Sequence, residues 1–381
     1  MAQTWAPNFR KRFLLGALDV IARFTSSGGD VRPVGSDAPI NRILVVELWN
    51  IGDVILAMPF LAQLRRLFPK ARITMLARPH ARTILEGTHL VDEFIEAELG
   101  WTESTVWFNP LAYNWKELRR VRRELHAREF DIAFKGRMHI REHLLLSISG
   151  ARRRVAFAFG QGDRVLTDAI PIGDPDRHKV ADWFELLKPF GGPVAEATPR
   201  LKVSESERRE ATAFLAEHGV ASTDRVVGIH PGASIPEKRW PLERFAKVAE
   251  TIANRSGVRV VAFVEPGGYG DSVADGEEVI PAKLTLRQLV ALIDRCDVLV
   301  CNDSGPMHIA GALGVPAVAV FGSGIPQWFS PLGEGHHLLT VQKTQEDSEE
   351  SAESVKPFDV IGVTTSQVLD ALDSVLRANR S

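Results

Sequence analysis

Cysteine is almost absent: Cys296 and Cys301 are the only two in 381 residues, and both lie in or beside one apolar segment. That excludes a disulfide framework and fits a reducing cytoplasm. Long hydrophobic runs are missing too, and none approaches the ~18–20 residues that span a bilayer. The N-terminal stretch NFRKRFLLGALDVIARF is interrupted by Asp19 and Arg23 and leads to no small-residue cleavage site, so it does not read as a signal peptide. There is no excess of one charge, the net value being −2. The glycines of a dinucleotide-binding G-x-G-x-x-G are missing after the first predicted strand. A D-x-D string of the kind a metal-dependent transferase uses occurs once, Asp174-Pro175-Asp176. It sits in a loop before DRHKV, after no suitable strand, and reads as a turn.

What is present is asymmetric. Up to Phe190 there are about 28 Lys/Arg against about 22 Asp/Glu, roughly +6, and the remainder comes to roughly −8. The two halves therefore face different ligands, the first an anionic one. At the N-terminus Phe9, Phe13, Ala17, Val20, Ile21 and Phe24 share one helical face, with basic residues mostly on the others. Such a helix packs on its own protein or lies in a membrane interface. SSGGDVRPVGSDAP then reads as a linker.

From Arg42 strands and helices alternate. Strands are predicted at 43–48, 72–76, 131–134 and 152–156, and helices at 53–67, 79–86, 115–127 and 140–148. After a turn-rich stretch the pattern starts again. Its strands are 225–230, 258–264, 297–302 and 317–322; its helices are 204–218, 241–256, 285–295, 306–313 and finally 364–378. The acidic EDSEESAES before that last helix reads as a loop. Alternation of this kind means α/β architecture with parallel sheets covered on both faces. The domain expectation is an amphipathic helix and linker over 1–41, a first Rossmann-like domain over 42–195, a second over 196–360 and a C-terminal helix over 361–381. Two such domains place a cleft between them, and ligands bind at the carboxyl ends of the strands.

Three loops at such ends carry chemistry. In the first, Trp49-Asn50-Ile51-Gly52-Asp53, Gly52 allows a tight turn and Asp53 falls near a helix start. An N-cap is the ordinary use of Asp there; a general base facing the cleft is the alternative. In the second, HPGASIPEKRWP, Gly232-Ala233-Ser234 can present N–H groups and a hydroxyl to phosphate oxygens, with Lys238 following. In the third, Asp303-Ser304-Gly305 turns from a strand into a helix opening at Pro306, an anion site at which His308 can point. Two phosphate-facing loops in one domain and a carboxylate in the other suit group transfer from a diphosphate donor to a hydroxyl.

NIGDVILAMPFLAQLRRLFP, HPGAS…EKRWP and NDSGPMHIAGALGVPAVAVFG, in that order, resemble glycosyltransferase family 9, the heptosyltransferases of lipopolysaccharide core assembly. The resemblance runs from about Arg42 to the C-terminal helix. It implies a GT-B fold, two Rossmann-like domains facing a cleft. It also implies an inverting, metal-independent reaction without a cofactor, using a nucleotide-activated sugar, ADP-heptose in the best-known members. Carried over, Asp53 is the general base and Lys238 the diphosphate contact. Gly232, Ser234, Asp303, Ser304, Gly305 and His308 complete the donor site. Departures from the family pattern are Glu47 and Trp49 at the end of the first strand, and a glycine-rich EPGGYGDSVADG loop in which either Glu265 or Asp271 would meet the nucleotide. The N-terminal extension of about 40 residues is unusual as well.

Acceptor candidates come from the basic half. Lys135-Gly136-Arg137 follows a strand directly, so Lys135 and Arg137, with Asn50 and Gly52, are the expected contacts to an anionic glycolipid or glycan. Arg119, Arg120, Arg122 and Arg123 read as a solvated helix face, and Arg152 to Arg154 add to the basic balance. Nucleic acid is excluded as a partner, since no aromatic platform or basic recognition helix accompanies the charge. The expected location is the cytoplasm, with residues 8–24 as the segment that would touch the inner membrane. Two other classes fit the same loops: a GT-B-like sugar-nucleotide epimerase, which needs further cleft carboxylates, and a catalytically silent sugar-nucleotide-binding protein.

Overall fold

The computed structural model describes residues 39–99, 114–137, 141–158, 163–174, 176–191, 198–265, 267–341 and 360–378. The amphipathic segment 8–24, its linker up to residue 38 and the acidic stretch 346–354 lie outside the described residues.

The first series is β1 (Arg42–Glu47), α1 (Ile51–Leu67), β2 (Arg72–Ala77), α2 (Pro79–Ile84), β3 (Glu93–Glu96), α3 (Trp115–His126), β4 (Ile132–Lys135), α4 (Arg141–Ile148), β5 (Arg153–Phe157), β6 (Asp168–Ile170) and α5 (Lys179–Glu185). The second is α6 (Glu205–Glu217), β7 (Arg225–His230), α7 (Leu242–Ala253), β8 (Val258–Val264), β9 (Val279–Lys283), α8 (Leu286–Ile293), β10 (Val298–Asn302), α9 (Gly305–Leu313), β11 (Ala317–Val320), α10 (Pro326–Phe329), β12 (His337–Leu339) and α11 (Thr365–Ala378).

Both sheets are six-stranded, with orders β3-β2-β1-β4-β5-β6 and β12-β11-β10-β7-β8-β9. Among the described residues every strand pairing is parallel. Each series thus repeats one doubly wound order, reversing direction between its first and fourth strands, β1|β4 and β7|β10. Ligand-binding loops gather at such a reversal.

The central strands are apolar on both faces because helices cover both. Ile43 to Val46 and Val298 to Cys301 are fully buried. Leu44, Val46, Ala133 and Ala156 join Val121, Leu125, Leu145 and Leu146 from α3 and α4 in one core. Val227, Ile229, Val298 and Val300 pack with Phe245, Val248 and Ile252 of α7 and Val368, Leu372 and Val375 of α11 in the other. Edges look different. The four strands absent from the sequence expectation, β3, β6, β9 and β12, are the four sheet edges. They are short, and carry Glu93, Glu96, Asp168 and Pro281 where a central strand has Val or Ile. An edge is half solvated and needs no apolar run.

One carboxylate locks the start of each central pair. Asp131, just before β4, accepts the backbone N–H groups of Asn41 (2.7 Å) and Arg42 (2.9 Å) at the start of β1. Asp297, just before β10, accepts the N–H of Val226 in β7 (2.8 Å) and pairs with Arg225.

By their contacts the described residues form two compact units. The first takes 39–49, Ala57–Arg82 and 89–191; the second takes Asn50–Leu56, Thr83–Thr88 and 198–378.

Phe60 on α1 anchors the first unit, fully buried with its ring 5.3 Å from Phe134 and 4.8 Å from Trp183. Phe60→Ala is expected to lower stability by about 3–5 kcal/mol, read from urea unfolding.

Candidate active site

At the β7|β10 reversal, His230 ends β7 beside Cys301 of β10. The next residue of β10, Asn302, is fully buried and binds two loops at once. Its side-chain amide donates to the carbonyl of Pro231 (2.6 Å), and its oxygen accepts the N–H of Trp240 (2.9 Å). Trp240 is pinned in turn by its indole N–H, donated to the carbonyl of Val363 (2.9 Å). Asn302 therefore holds the Pro231–Lys238 loop against the strand that carries Asp303.

Lys238 closes a single 3-10 turn, Pro236–Lys238, and its Nζ lies 2.6 Å from the buried Asp303 carboxylate. Ser304 is the residue before α9; no side chain caps that helix, and Ser304 Oγ is buried without a hydrogen-bond partner among the described residues. An ammonium therefore stands next to an uncapped helix start, where the dipole and N–H groups favour negative charge. Gly305 opens α9, and His308 in its first turn is buried.

Gly232 is buried, and a Cβ on it would fall 1.9 Å from Glu265 Oε1, so the Glu265 carboxylate rests directly on that glycine. Asp271 instead pairs with Lys283 at 3.3 Å. Of the two candidate acids, Glu265 and Asp271, Glu265 is the one at the phosphate-loop candidate. Ser234 is exposed. Arg239 serves the loop itself: its Nε donates to the carbonyl of Ala233 (3.0 Å) and its guanidinium lies 4.4 Å from the Tyr269 ring centre. His230 forms the floor. Burial pushes its imidazole down to about 4, and Nδ1 has no hydrogen-bond partner among the described residues.

Asp53 is not an N-cap. Helix α1 starts at Ile51, two residues earlier than its apolar pattern suggests, so Asp53 is its third residue. Its Oδ2 reaches back to accept the N–H of Asn50 (3.1 Å), the carboxylate half of a capping box. That bond orients a half-exposed carboxylate at the head of the helix. Asn50 is exposed and Gly52 buried. Asn50–Leu56 belong to the second unit, where a Cβ on Gly52 would meet the His308 ring at 2.5 Å. Only glycine at position 52 admits that approach to the His308 ring.

At the β1|β4 reversal, Val46 of β1 pairs with Lys135 of β4. As a direct acceptor contact Lys135 does not fit. Its side chain is fully buried, and burial pushes the amine down to about 8 against the attraction of Glu142, Asp163 and Glu47. Arg137 is half-exposed and lies with its guanidinium carbon 4.0 Å from the centre of a Trp49 ring. Glu47 accepts the Trp49 backbone N–H (3.0 Å) and buried Glu142 accepts its indole N–H (2.6 Å). No sequence pattern singles out Glu142, which looks like an ordinary helix residue. Its role arises only when α4 lies beside the end of β1. The other basic segments hold the fold. Arg120 pairs with Glu117 and Glu124, Arg152 with Asp131 and Arg153 with Asp168, while Arg154 donates to the carbonyls of Val165 and Ala151.

Asp176 donates its N–H to Asp174 Oδ1 (2.9 Å), a turn within the D-x-D string. Among the described residues no three His, Cys, Asp or Glu side chains converge as a metal site, and no helix is long and apolar enough to cross a membrane. Cys296 and Cys301 are buried free thiols whose ionisation burial pushes upward.

Two doubly wound parallel sheets, one with an ammonium beside an uncapped helix start at its reversal, define a class of two-sheet α/β proteins, and comparison with known proteins agrees. The profile of glycosyltransferase family 9 (heptosyltransferase) matches residues 118–358. The chain belongs to that family and is a glycosyltransferase of GT-B fold. It is 26% identical over 367 residues to lipopolysaccharide heptosyltransferase 2 of Salmonella typhimurium, covering 88% of this chain and 98% of that one. Among solved structures, a family 9 glycosyl transferase from Veillonella parvula matches with TM-score 0.73 and 27% identity, covering 90% and 99% of the two chains. The E. coli ADP-heptose lps heptosyltransferase II matches with TM-score 0.69 and 22% identity over 90% and 100%.

His230 makes stability pH-dependent. Its folded value near 4 lies below the ordinary 6.5, so the two states differ little above pH 6.5, and stability falls as pH drops from there toward 4. Between pH 7 and pH 5 the wild type is expected to lose on the order of 2 kcal/mol more than His230→Leu, measured by urea unfolding.

Proposed function

We propose that this glycosyltransferase moves heptose from ADP-heptose to a lipopolysaccharide-core or related glycan acceptor, with inversion and without a metal. The observation that carries the reading is the Lys238–Asp303 pair at the uncapped start of α9. It puts a cation beside helix N–H groups, where charge on a departing diphosphate would develop. The acceptor hydroxyl oxygen attacks the anomeric carbon as the bond from that carbon to the phosphate oxygen breaks. Asp53 takes the hydroxyl proton, and ADP leaves with the bonding electron pair. Lys238, with the N–H groups at Gly305 and the Ser304 hydroxyl, stabilises the leaving charge. Asp303 holds Lys238 in place. Gly232 and Ser234 form the second phosphate loop, and His308 closes the donor side. Asn50, Gly52 and Arg137 face the acceptor, with Lys135 behind them as a buried counter-ion. The work is done in the cytoplasm, where residues 8–24 would bring the enzyme to the inner membrane and a lipid-linked acceptor.

Asp53→Asn is expected to lower kcat roughly 10²- to 10⁴-fold while leaving the calorimetric affinity for ADP unchanged. Equal loss of both would remove Asp53 from the role of base. In a thermal-stability panel of ADP, UDP, GDP and dTDP, ADP at about 100 times its dissociation constant should add ~2.7 kcal/mol. A larger response to another nucleotide would move the donor.

A further inference from the structure

Trp49 and Arg137 occupy the loops after the two central strands of the first sheet, at its reversal point, where ligands meet such sheets. Trp49 is held at both ends: its backbone N–H by Glu47, which is 2% exposed, and its indole N–H by Glu142, which is fully buried. Lys135 is fully buried, and the attraction of Glu142, Asp163 and Glu47 opposes the effect of burial on its amine. Placing these charged groups out of water is costly unless the geometry is used. Here its visible product is one indole in one orientation.

The orientation matters because of Arg137. At 4.0 Å from a Trp49 ring centre its guanidinium carbon is at stacking distance. A carboxylate that accepts an indole N–H enriches the electron density of the ring and strengthens its attraction for a cation. A guanidinium against a ring face is attracted by that face, and a guanidinium carries its N–H donors as a planar fork. That is the geometry for two-point binding of a carboxylate or phosphate.

Resting on the glycosyltransferase reading above, we infer that Trp49 and Arg137 form an acceptor-selecting platform for a sugar bearing an oxyanion, carboxylate or phosphate. Glu142 and Glu47 are its positioning residues. Arg137 touches the acceptor; Trp49 sets where Arg137 stands; Glu142 sets where Trp49 stands. The platform selects the acceptor and takes no part in bond breaking, so its signature is in KM for the acceptor rather than in kcat.

The test uses deacylated lipopolysaccharide core oligosaccharide as acceptor in three forms: untreated, phosphatase-treated, and carbodiimide-amidated at its carboxylates. Turnover is followed with ADP-heptose, and core binding is measured separately by calorimetry. Arg137→Ala should raise the acceptor KM roughly 10- to 100-fold, the worth of a charge-assisted contact, with kcat and ADP affinity within a factor of about three. Whichever treatment abolishes the difference between wild type and Arg137→Ala identifies the oxyanion. Trp49→Phe keeps an aromatic face but loses the indole N–H, and should raise KM by less, about 3- to 10-fold. Glu142→Leu should match it, Glu142→Gln should restore most of the affinity, and the Trp49→Phe/Glu142→Leu double variant should be no worse than either single one. A KM penalty for Arg137→Ala that survives on core treated both ways would overturn the platform, as would a fall in kcat with unchanged KM. Calorimetric binding that depends on Arg137 in a wild type without turnover would keep the platform and refute the transfer reading. Absence of both binding and turnover would refute both.

Discussion

The site depends on a register fixed at the far ends of the strands. The candidate-site loops leave the carboxyl ends of β1, β4, β7 and β10, but the carboxylates that align each pair sit at the amino ends. Asp131 grips the first N–H groups of β1, and Asp297 does the same for β7. A slip of one residue in a parallel pair would turn every side chain to the opposite face. Lys135 would then leave its carboxylates, and Asn302 would lose both Pro231 and Trp240. These locks are local hydrogen bonds, yet they decide what meets what a whole strand length away.

The two reversal points use polar groups in opposite ways. In the second sheet a partly exposed Lys238 pairs with the buried Asp303 carboxylate, and the polar group that holds the loops together there, Asn302, is neutral and satisfied on both sides. Phosphate oxygens need exposed donors, and a neutral clamp supplies stiffness without competing charge. In the first sheet the charges lie inside, with Glu47, Lys135 and Glu142 all enclosed. The rim there carries an aromatic ring and a guanidinium. A buried ion cluster is a weak source of stability but a strong source of orientation.

The central strands, the doubled architecture and the three loops are legible in the sequence, because apolar runs ending in Gly-Asp, His-Pro-Gly or Asn-Asp-Ser-Gly carry local signals. Edge strands are not legible: EFIE or DAI has neither apolar run nor alternation, and pairing alone makes it a strand. The start of the Asp53 helix is not legible either, since Ile51 and Gly52 look like loop but join the first turn. Lys135 reads as a surface cation because burial is a tertiary property. The partners that neutralise it come from β1, α4 and the turn at Asp163. Glu142 carries no motif, and Asn302, although it opens Asn-Asp-Ser-Gly, gains its two backbone partners only in the fold.

The placement of the edges also shapes how the molecule breathes. β3, β6, β9 and β12 are short, rich in charge or interrupted by Pro281, and each is hydrogen-bonded to a neighbouring strand on one side only. Local opening starts where few buried contacts resist it. Amide exchange should therefore proceed inward from the sheet margins and reach β1, β4, β7 and β10 last. On that expectation fluctuation concentrates at the periphery, and the loops proposed to meet substrate leave the slowest-exchanging strands among the described residues.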